Sequence, residues 1–562
     1  MAVKFPLPFS SFDDAGDRVA PNPWTICDLR MQEISYELRS RPAWWTEYKN
    51  PQILAQWKAE LLSKEDRIYG NGKLTEAEID YLLAELAGYD MMGDETTGIQ
   101  QSCFARVYES DTLIPEDLRQ KFVVAVKYFE DVSAEQNNWR PPTNDQVLDL
   151  VDPSLYCGVY GRTLAYPLNK DSSNGGPKEA KQLNYETEAI HVRECPQWAA
   201  SKRFTWIPTD FDLATGGQSA KALGYINNIH PSRHSDLHTI IEELVARFSL
   251  LWDRVLTDLH PDNPVPYRIE NTYKWKESTD SAPYEDSFDH YDEWLHAMEL
   301  WREERTSIRP TVPDGGYAKD ISKREAVYSI KGRKLQVFVR ICNIILTPEN
   351  PIYLGESWHV EGMANERIVA CGLFCYESEN TTEPTLSVRT AITECHLIDY
   401  IWEDESGLFE TYELASGAKG AQVLGSVKTL PGRSIAFPNI YQSRITPFEL
   451  LDRSKPGYRR ILALSLVDPE CTIPSTTNIS PQQTDWTREA IGTTGTLFAK
   501  LPMEILDMVE GAAHEGGMLK TRDEAEAYRL EVIEERKACV KHQNAHYFEK
   551  PLDFDADDSE DD

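Results

Sequence analysis

The residues best placed to do chemistry are His359 and Glu361, separated by Val360 in the segment SWHVEGM. In an extended strand, residues i and i+2 face the same side, so both side chains reach one ion or one substrate. An H-x-D/E pair is the first part of the facial triad of nonheme iron oxygenases, which takes a second His from a later strand. An Arg beyond it commonly holds a cosubstrate carboxylate. The second His is due near Ser443, in FPNIYQSRITPF, and Arg459 and Arg460 follow in PGYRRILALSLVDP. A serine stands at that point, and a neutral hydroxyl is a poor ligand for divalent iron. The chain therefore carries the outline of a metal oxygenase without its full ligand set, and no metal or other cofactor is expected.

Other common chemistries have no support. There is no G-x-x-x-x-G-K-[ST], no G-x-G-x-x-G after a strand, no G-x-S-x-G and no H-E-x-x-H, which removes the nucleotide-loop, Rossmann, hydrolase-elbow and zincin readings. His230, His234 and His238 are spaced by four, but Pro231 interrupts the first pair, and they read as solvated or capping histidines. Ten cysteines are scattered, and the closest pair, Cys371 and Cys375, has three residues between its members. That spacing predicts buried, reduced thiols.

The elements that must position these residues follow from periodicity. At 562 residues the chain is too long for one core. Residues 1–150 read as mainly helical: Thr75 and Glu78 form a capping box, Ile79, Leu82, Leu83 and Leu86 supply a stripe, and Gly88 is a terminator. A second helix opens at Pro115 and carries Leu118, Phe122, Val126 and Phe129. Residues 151–324 are mixed, with the turn-rich NKDSSNGGPKE and a long amphipathic helix over about 235–259. From 325 to 470 the period changes to short β runs: LQVFVRICNIIL, RIVACGLFCY, CHLIDYI, AQVLGSV, RSIAF and RILALSLV. The expected fold class is α+β: a helical N-terminal region, an antiparallel double-stranded β-helix (an oxygenase-like jelly roll) and a C-terminal helix. Residues 471–552 hold a connector and that helix, and 553–562 read as a disordered acidic tail.

Charge narrows the partners. The 58 basic and 92 acidic residues leave −34, which argues against a nonspecific binder of nucleic acid or acidic membranes. Residues 319–340, however, hold seven Lys/Arg against two acids. The start lacks the apolar core of a secretory signal and no stretch is long and apolar enough to span a membrane, so the expected location is cytosolic.

Four blocks, LDLVDPSLYCGVYGRT, GYINNIHPSRHSDLHTIIEELV, SWHVEGMANERIVACGLFCYESENTT and FPNIYQSRITPF, resemble a fungal family of unknown function (DUF4246) over about residues 25 to 540. Typical members read Q-H-R where this chain has Gln442, Ser443 and Arg444, and H-P-S-L-Y where it has Asp152. The resemblance implies a secondary-metabolite enzyme. Some members are similar to arginine-containing cyclodipeptide synthases, which condense arginyl-tRNA with a second aminoacyl-tRNA to a diketopiperazine. On that reading Glu361 pairs with a guanidinium or takes a proton from the amine, His359 is a general acid or base, and Ser443 donates to an oxyanion or accepts the acyl group. Arg162, Asn227, Asn228, Arg444, Arg459 and Arg460 are the expected substrate contacts. Lys331, Arg333 and Lys334 are the expected tRNA contacts. The alternatives are an iron and 2-oxoglutarate oxygenase with a degenerate site, and a noncatalytic binding member.

Overall fold

The computed structural model describes all residues except 1–2, 10–19, 65–72, 136–137, 169–178, 189–191, 193–194, 270–273, 276–282, 305–306, 309, 319–320, 393–404, 494–501 and 553–562. The acidic tail, most of NKDSSNGGPKE and the expected strand CHLIDYI lie outside the described residues.

The main helices are α1 (Ile26–Arg39), α2 (Glu76–Met92), α3 (Glu116–Glu135), α4 (Ser235–Leu259) and α5 (Arg522–Gln543). The capping box forms as its sequence demands, with the Thr75 hydroxyl accepting from Glu78 N and the Glu78 carboxylate from Thr75 N. Helix α2 runs through Gly88 instead of stopping there. A Cβ at Gly88 would come within 2.5 Å of Ile321 and 2.7 Å of the Tyr317 hydroxyl, so the glycine permits close packing and does not end the helix. The anticipated apolar faces of α3 and α4 are buried. Among the described residues, no helix is long and apolar enough to cross a membrane.

The strands that matter for the site are β1 (Gln100–Gln101), β2 (Tyr108–Ser110), β3 (Val147–Val151), β4 (Thr209–Leu213), β5 (Ala220–Ala222), β6 (Lys334–Leu346), β7 (Ile368–Glu379), β8 (Thr385–Ala391), β9 (Ala421–Lys428), β10 (Ser434–Pro438), β11 (Gln442–Ile445) and β12 (Gly457–Val467). A large antiparallel sheet has the order β1-β2-β10-β7-β12-β6-β4-β5, with β3 also paired to β6. A smaller sheet has the order β9-β8-β11. The large sheet takes strands from residues 100 to 222 as well as from 334 onward, so the boundary expected near 325 does not divide it. The reason is edge pairing: β3 and β4 satisfy the outer backbone groups of β6, which would otherwise be an open edge.

Each face of the large sheet has its own core. On one face, Val337, Val339 and Ile341 of β6 and Leu462, Leu464 and Leu466 of β12 pack with the apolar side of α4. On the other, Phe338 and Cys342 meet Leu386 and Val388 of β8, Leu424 of β9 and Ile445 of β11, so the two sheets share one apolar cluster. Helix α4 crosses β7 and β10 closely. At Gly372 of β7 a Cβ would lie 2.7 Å from a Phe248 ring carbon and 3.5 Å from Trp252. Gly372→Ala should therefore destabilise the protein by about 1–3 kcal/mol through overpacking; denaturant unfolding measures this, and an unchanged midpoint would mean that α4 slides freely over the sheet.

Candidate active site

Two sheets bring the site together. The segment carrying His359 runs antiparallel to β11: His359 N donates to the Ser443 carbonyl at 3.2 Å, and Ser443 N donates to the His359 carbonyl at 2.9 Å. Residues directly opposed in such a bridge share a face, so Ser443 stands beside His359. Val360 points the other way, into a cluster with Met363, Ala364 and Cys539 of α5. The alternation expected from the H-x-E spacing is therefore realised. Asn439 fixes Glu361 in place: its amide oxygen accepts from Glu361 N at 2.8 Å, and its amide nitrogen donates to the carbonyls of Glu361 at 2.9 Å and Ile368 at 3.1 Å.

His359 Nε2 lies 3.6 Å from Glu361 Oε1, and Arg340 Nη1, reaching in from β6, lies 3.9 Å from Glu361 Oε2. These side chains are 24%, 20% and 24% exposed for His359, Glu361 and Arg340. Burial opposes charge on His359, but the Glu361 carboxylate, with Glu356 behind it, raises its pKa from 6.5 to about 9. Burial equally opposes charge on Glu361, and His359, Arg340 and Arg140 bring it down to about 2. His359 Nδ1 donates to the Ser357 carbonyl at 2.8 Å. At neutral pH the histidine therefore holds both protons.

This donor set does not fit divalent iron. Among the described residues, no group of three or more His, Cys, Asp or Glu could hold a metal ion. Ser443, beside the pair, offers only a neutral hydroxyl, and the Arg340 guanidinium faces the carboxylate where a cation would sit.

A family model described as "Protein of unknown function (DUF4246)" matches residues 76–490, and another, "Domain of unknown function DUF4246, N-terminal", matches residues 2–60. The chain belongs to this family. No curated protein matches it. Similar solved structures include the crystal structure of IDO from Bacillus thuringiensis, at 10% identity and TM-score 0.16, covering 31% of this chain and 57% of that one. Another is the Fe(II)/(alpha)ketoglutarate-dependent dioxygenase TqaL, at 8% identity and TM-score 0.20, covering 64% of this chain and 93% of that one. The chain thus spans little more than half the length of the first, and TM-scores this low carry no argument about function.

The remaining expected residues of this DUF4246 chain fall into groups. Arg459 and Arg460 enter β12 away from the pair: Arg340 is in register with Ala463, and four residues of strand separate that point from Arg459 by about 13 Å. Both are committed to other partners. Arg459 donates to the Thr429 carbonyl, to Thr429 Oγ1 at 3.0 Å and to Cys375 Sγ at 3.3 Å, while Arg460 pairs with Glu377 and, at 2.7 Å, with Glu130. Arg444 alternates to the opposite face from Ser443, where its guanidinium lies 4.4 Å from the Trp358 ring centroid. Arg162 pairs with Glu524 at 2.7 Å. Asn227 donates to the Leu155 carbonyl at 3.2 Å, and Asn228 to the Asp152 carbonyl at 2.7 Å. These last three hold loops and helix ends together. Of the basic turn, Arg333 pairs with Glu470 at 2.8 Å and Lys334 with Asp210 at 3.0 Å, while Lys331 is exposed. The three spaced histidines bind no common point: His230 Nδ1 accepts from Arg233 N at 3.2 Å, His234 lies 4.7 Å from the Phe129 ring, and His238 Nε2 donates to the Ile229 carbonyl at 3.0 Å.

Sequence reasoning missed Arg340 as a site residue and Asn439 as the support of Glu361. Asn439 lies inside the quoted FPNIYQSRITPF block, whereas Arg340 interrupts the apolar run LQVFVRICNIIL at the end of a basic stretch, and that interruption was the available signal.

The ion pair carries a pH signature. The His359 contribution to stability is complete below its unfolded value near 6.5 and is lost as pH rises through about 9. The Glu361 contribution is complete above about 4.5 and is lost as pH falls toward 2. His359→Gln should therefore show its largest deficit against the parent between about pH 4.5 and 6.5, narrowing toward pH 10. Denaturant titrations of both proteins across that range check it, and a deficit that widened with rising pH would contradict the pairing.

Proposed function

We propose that this chain is an arginine-containing cyclodipeptide synthase, joining arginyl-tRNA to a second aminoacyl-tRNA. The observation that carries the reading is the cluster itself: Ser443 is bridged to His359, with Arg340 against Glu361, so that donors and one carboxylate converge. We read the two sheets as halves of a double-stranded β-helix, with β10-β7-β12-β6 on one side and β9-β8-β11 and the His359 segment on the other. The family resemblance of the four sequence blocks supplies the activity.

The reaction suits such a site. An aminoacyl ester is already activated, and the α-amine, with a pKa of about 7.7 to 8.0, is substantially neutral at physiological pH. The amine nitrogen bonds to the ester carbonyl carbon, the ester C–O bond breaks, and the released ribose oxygen takes a proton. His359 supplies that proton from Nε2 and regains one from the attacking nitrogen, which becomes cationic once its bond to the carbonyl carbon has formed. Glu361, too acidic to be an effective base, holds a cationic group of the substrate. Ser443 donates to the carbonyl oxygen as charge develops on it. A second attack, by the free amine of the dipeptidyl ester on its own carbonyl, closes the six-membered ring and frees the second tRNA. The chain has no phosphate-cradling motif with which to adenylate an amino acid, so activation is taken from the aminoacyl ester. Lys331, exposed on the basic turn, with Arg333 and Lys334 beside it, is the proposed contact with the tRNA backbone.

Supplying the full chain with arginyl-tRNA and a mixture of other aminoacyl-tRNAs should give arginine-containing diketopiperazines by mass spectrometry. His359→Gln should lower turnover about 100-fold. Product that survives complete ribonuclease treatment would sink the mechanism. Anaerobic reconstitution with ferrous iron followed by elemental analysis should leave well under one iron per chain, whereas one tightly held iron with 2-oxoglutarate turnover would favour an oxygenase.

A further inference from the structure

Buried arginines in this fold are mostly hydrogen-bonded: Arg268 to Asp28, Glu85 and Gln32, Arg529 to Asp149 and Asp152, and Arg39 to the carbonyls of Gln101 and Ser102. Arg340 differs. It leaves β6 on the face of Phe338 and Cys342, toward the space between the sheets. Among the described residues its Nε is buried without a partner, and its one ion pair, with Glu361, is at 3.9 Å, beyond hydrogen-bond range. The guanidinium lies 5.7 Å from the Trp206 ring centroid. Since Nε is inaccessible while the side chain is 24% exposed, the exposure belongs to other atoms of the side chain, the terminal nitrogens among them. A planar, permanently charged fork with open donors suits a carboxyl or carbonyl oxygen.

Glu361 is the other half of the argument. Its two nearest charged neighbours, His359 and Arg340, stand at 3.6 and 3.9 Å, which leaves its oxygens able to accept shorter bonds from a ligand. An α-amino acid carries its ammonium nitrogen and carboxyl carbon on one carbon, about 2.5 Å apart. Opposite charges on adjacent protein side chains are complementary to that pair.

We infer that Glu361 and Arg340 together form a subsite for the α-amino-acyl group of the substrate, Glu361 taking the α-ammonium and Arg340 the carbonyl or carboxylate oxygen. This rests on the proposed reaction and sharpens it: the pair recognises the amino-acid backbone, and the guanidinium of arginine goes elsewhere. Arg340 is then a substrate-contacting residue that polarises the carbonyl under attack.

Calorimetry on the full chain tests the subsite with three probes that share a guanidinium: L-arginine, agmatine, which lacks the carboxyl group, and 5-guanidinovaleric acid, which lacks the α-amine. Both analogues should bind about tenfold or more weakly than L-arginine. Arg340→Met should bring L-arginine down to the level of agmatine while leaving agmatine binding unchanged, which also reports that the variant is folded. Arg340→Lys should restore part of the preference. No binding of L-arginine, equal binding of the three probes, or an Arg340→Met variant that still prefers L-arginine to agmatine would overturn the inference. The diketopiperazine assay separates the two readings. A chain that binds the probes as expected but makes no cyclic dipeptide keeps the subsite and loses the synthase assignment. One that makes product at the parental rate with Arg340→Met keeps the assignment and loses the subsite.

Discussion

Arg529 is the fastening on which the arrangement of the site depends. Its side chain is 2% exposed, and its guanidinium donates to Asp152 at 2.7 Å, Asp149 at 2.9 Å and Glu526 at 2.8 Å. Asp149 belongs to β3, which pairs with β6, so the C-terminal helix α5 is tied to the strand that carries Arg340. Removing one partner of such a buried cluster leaves an uncompensated charge, at a cost of about 3–5 kcal/mol. The Asp152 carboxylate thus has a structural partner in Arg529.

From that fastening α5 runs to the back of the site. Just past its end, Asn544 donates to the Trp358 carbonyl at 3.1 Å and accepts from Gln442 at 2.8 Å and Arg389 at 3.2 Å. These bonds hold the segments on either side of the His359–Ser443 bridge from outside. Arg389 and Arg444 lie 4.8 and 4.4 Å from the Trp358 ring, so the outer face of this region is closed by cations stacked on an aromatic ring. The inner face keeps His359, Glu361, Ser443 and Arg340. One short bridge thus separates a structural face from a chemical one, and the alternation of strand side chains assigns each residue to its face.

The chemical face is unusual in its charge. Two cations, His359 and Arg340, share one carboxylate, which holds the histidine protonated near neutrality and the carboxylate ionised. A site built this way supplies donors and a fixed dipole without reorganising, which suits a reaction whose demand is positioning and oxyanion stabilisation. The same excess of positive charge works against a divalent ion.

Much of this was legible in residue order. The capping box at Thr75, the stripe of α4, the change of period at the β runs and the shared face of His359 and Glu361 all follow from local geometry, because caps, helical stripes and strand alternation depend on near neighbours alone. Ser443 was singled out through the family resemblance of the FPNIYQSRITPF block, and its pairing with His359 came only from the tertiary structure. Local rules failed where a residue's role depended on a distant partner. Gly88 has a terminator's identity but lies inside a helix, since Ile321 and Tyr317 need the space. The recruitment of β3 and β4 to the large sheet depends on the edge of β6, and the short polar strand β11 has no periodic signal of its own. Arg459, Arg460, Arg162 and Asn228 looked available in sequence because nothing in their neighbourhood shows the acids and carbonyls that claim them. Arg340 looked like one cation in a basic stretch, and only the meeting of β6 with the His359 segment places it opposite Glu361: charge pairing across sheets is set by tertiary distance, which spacing along the chain does not encode.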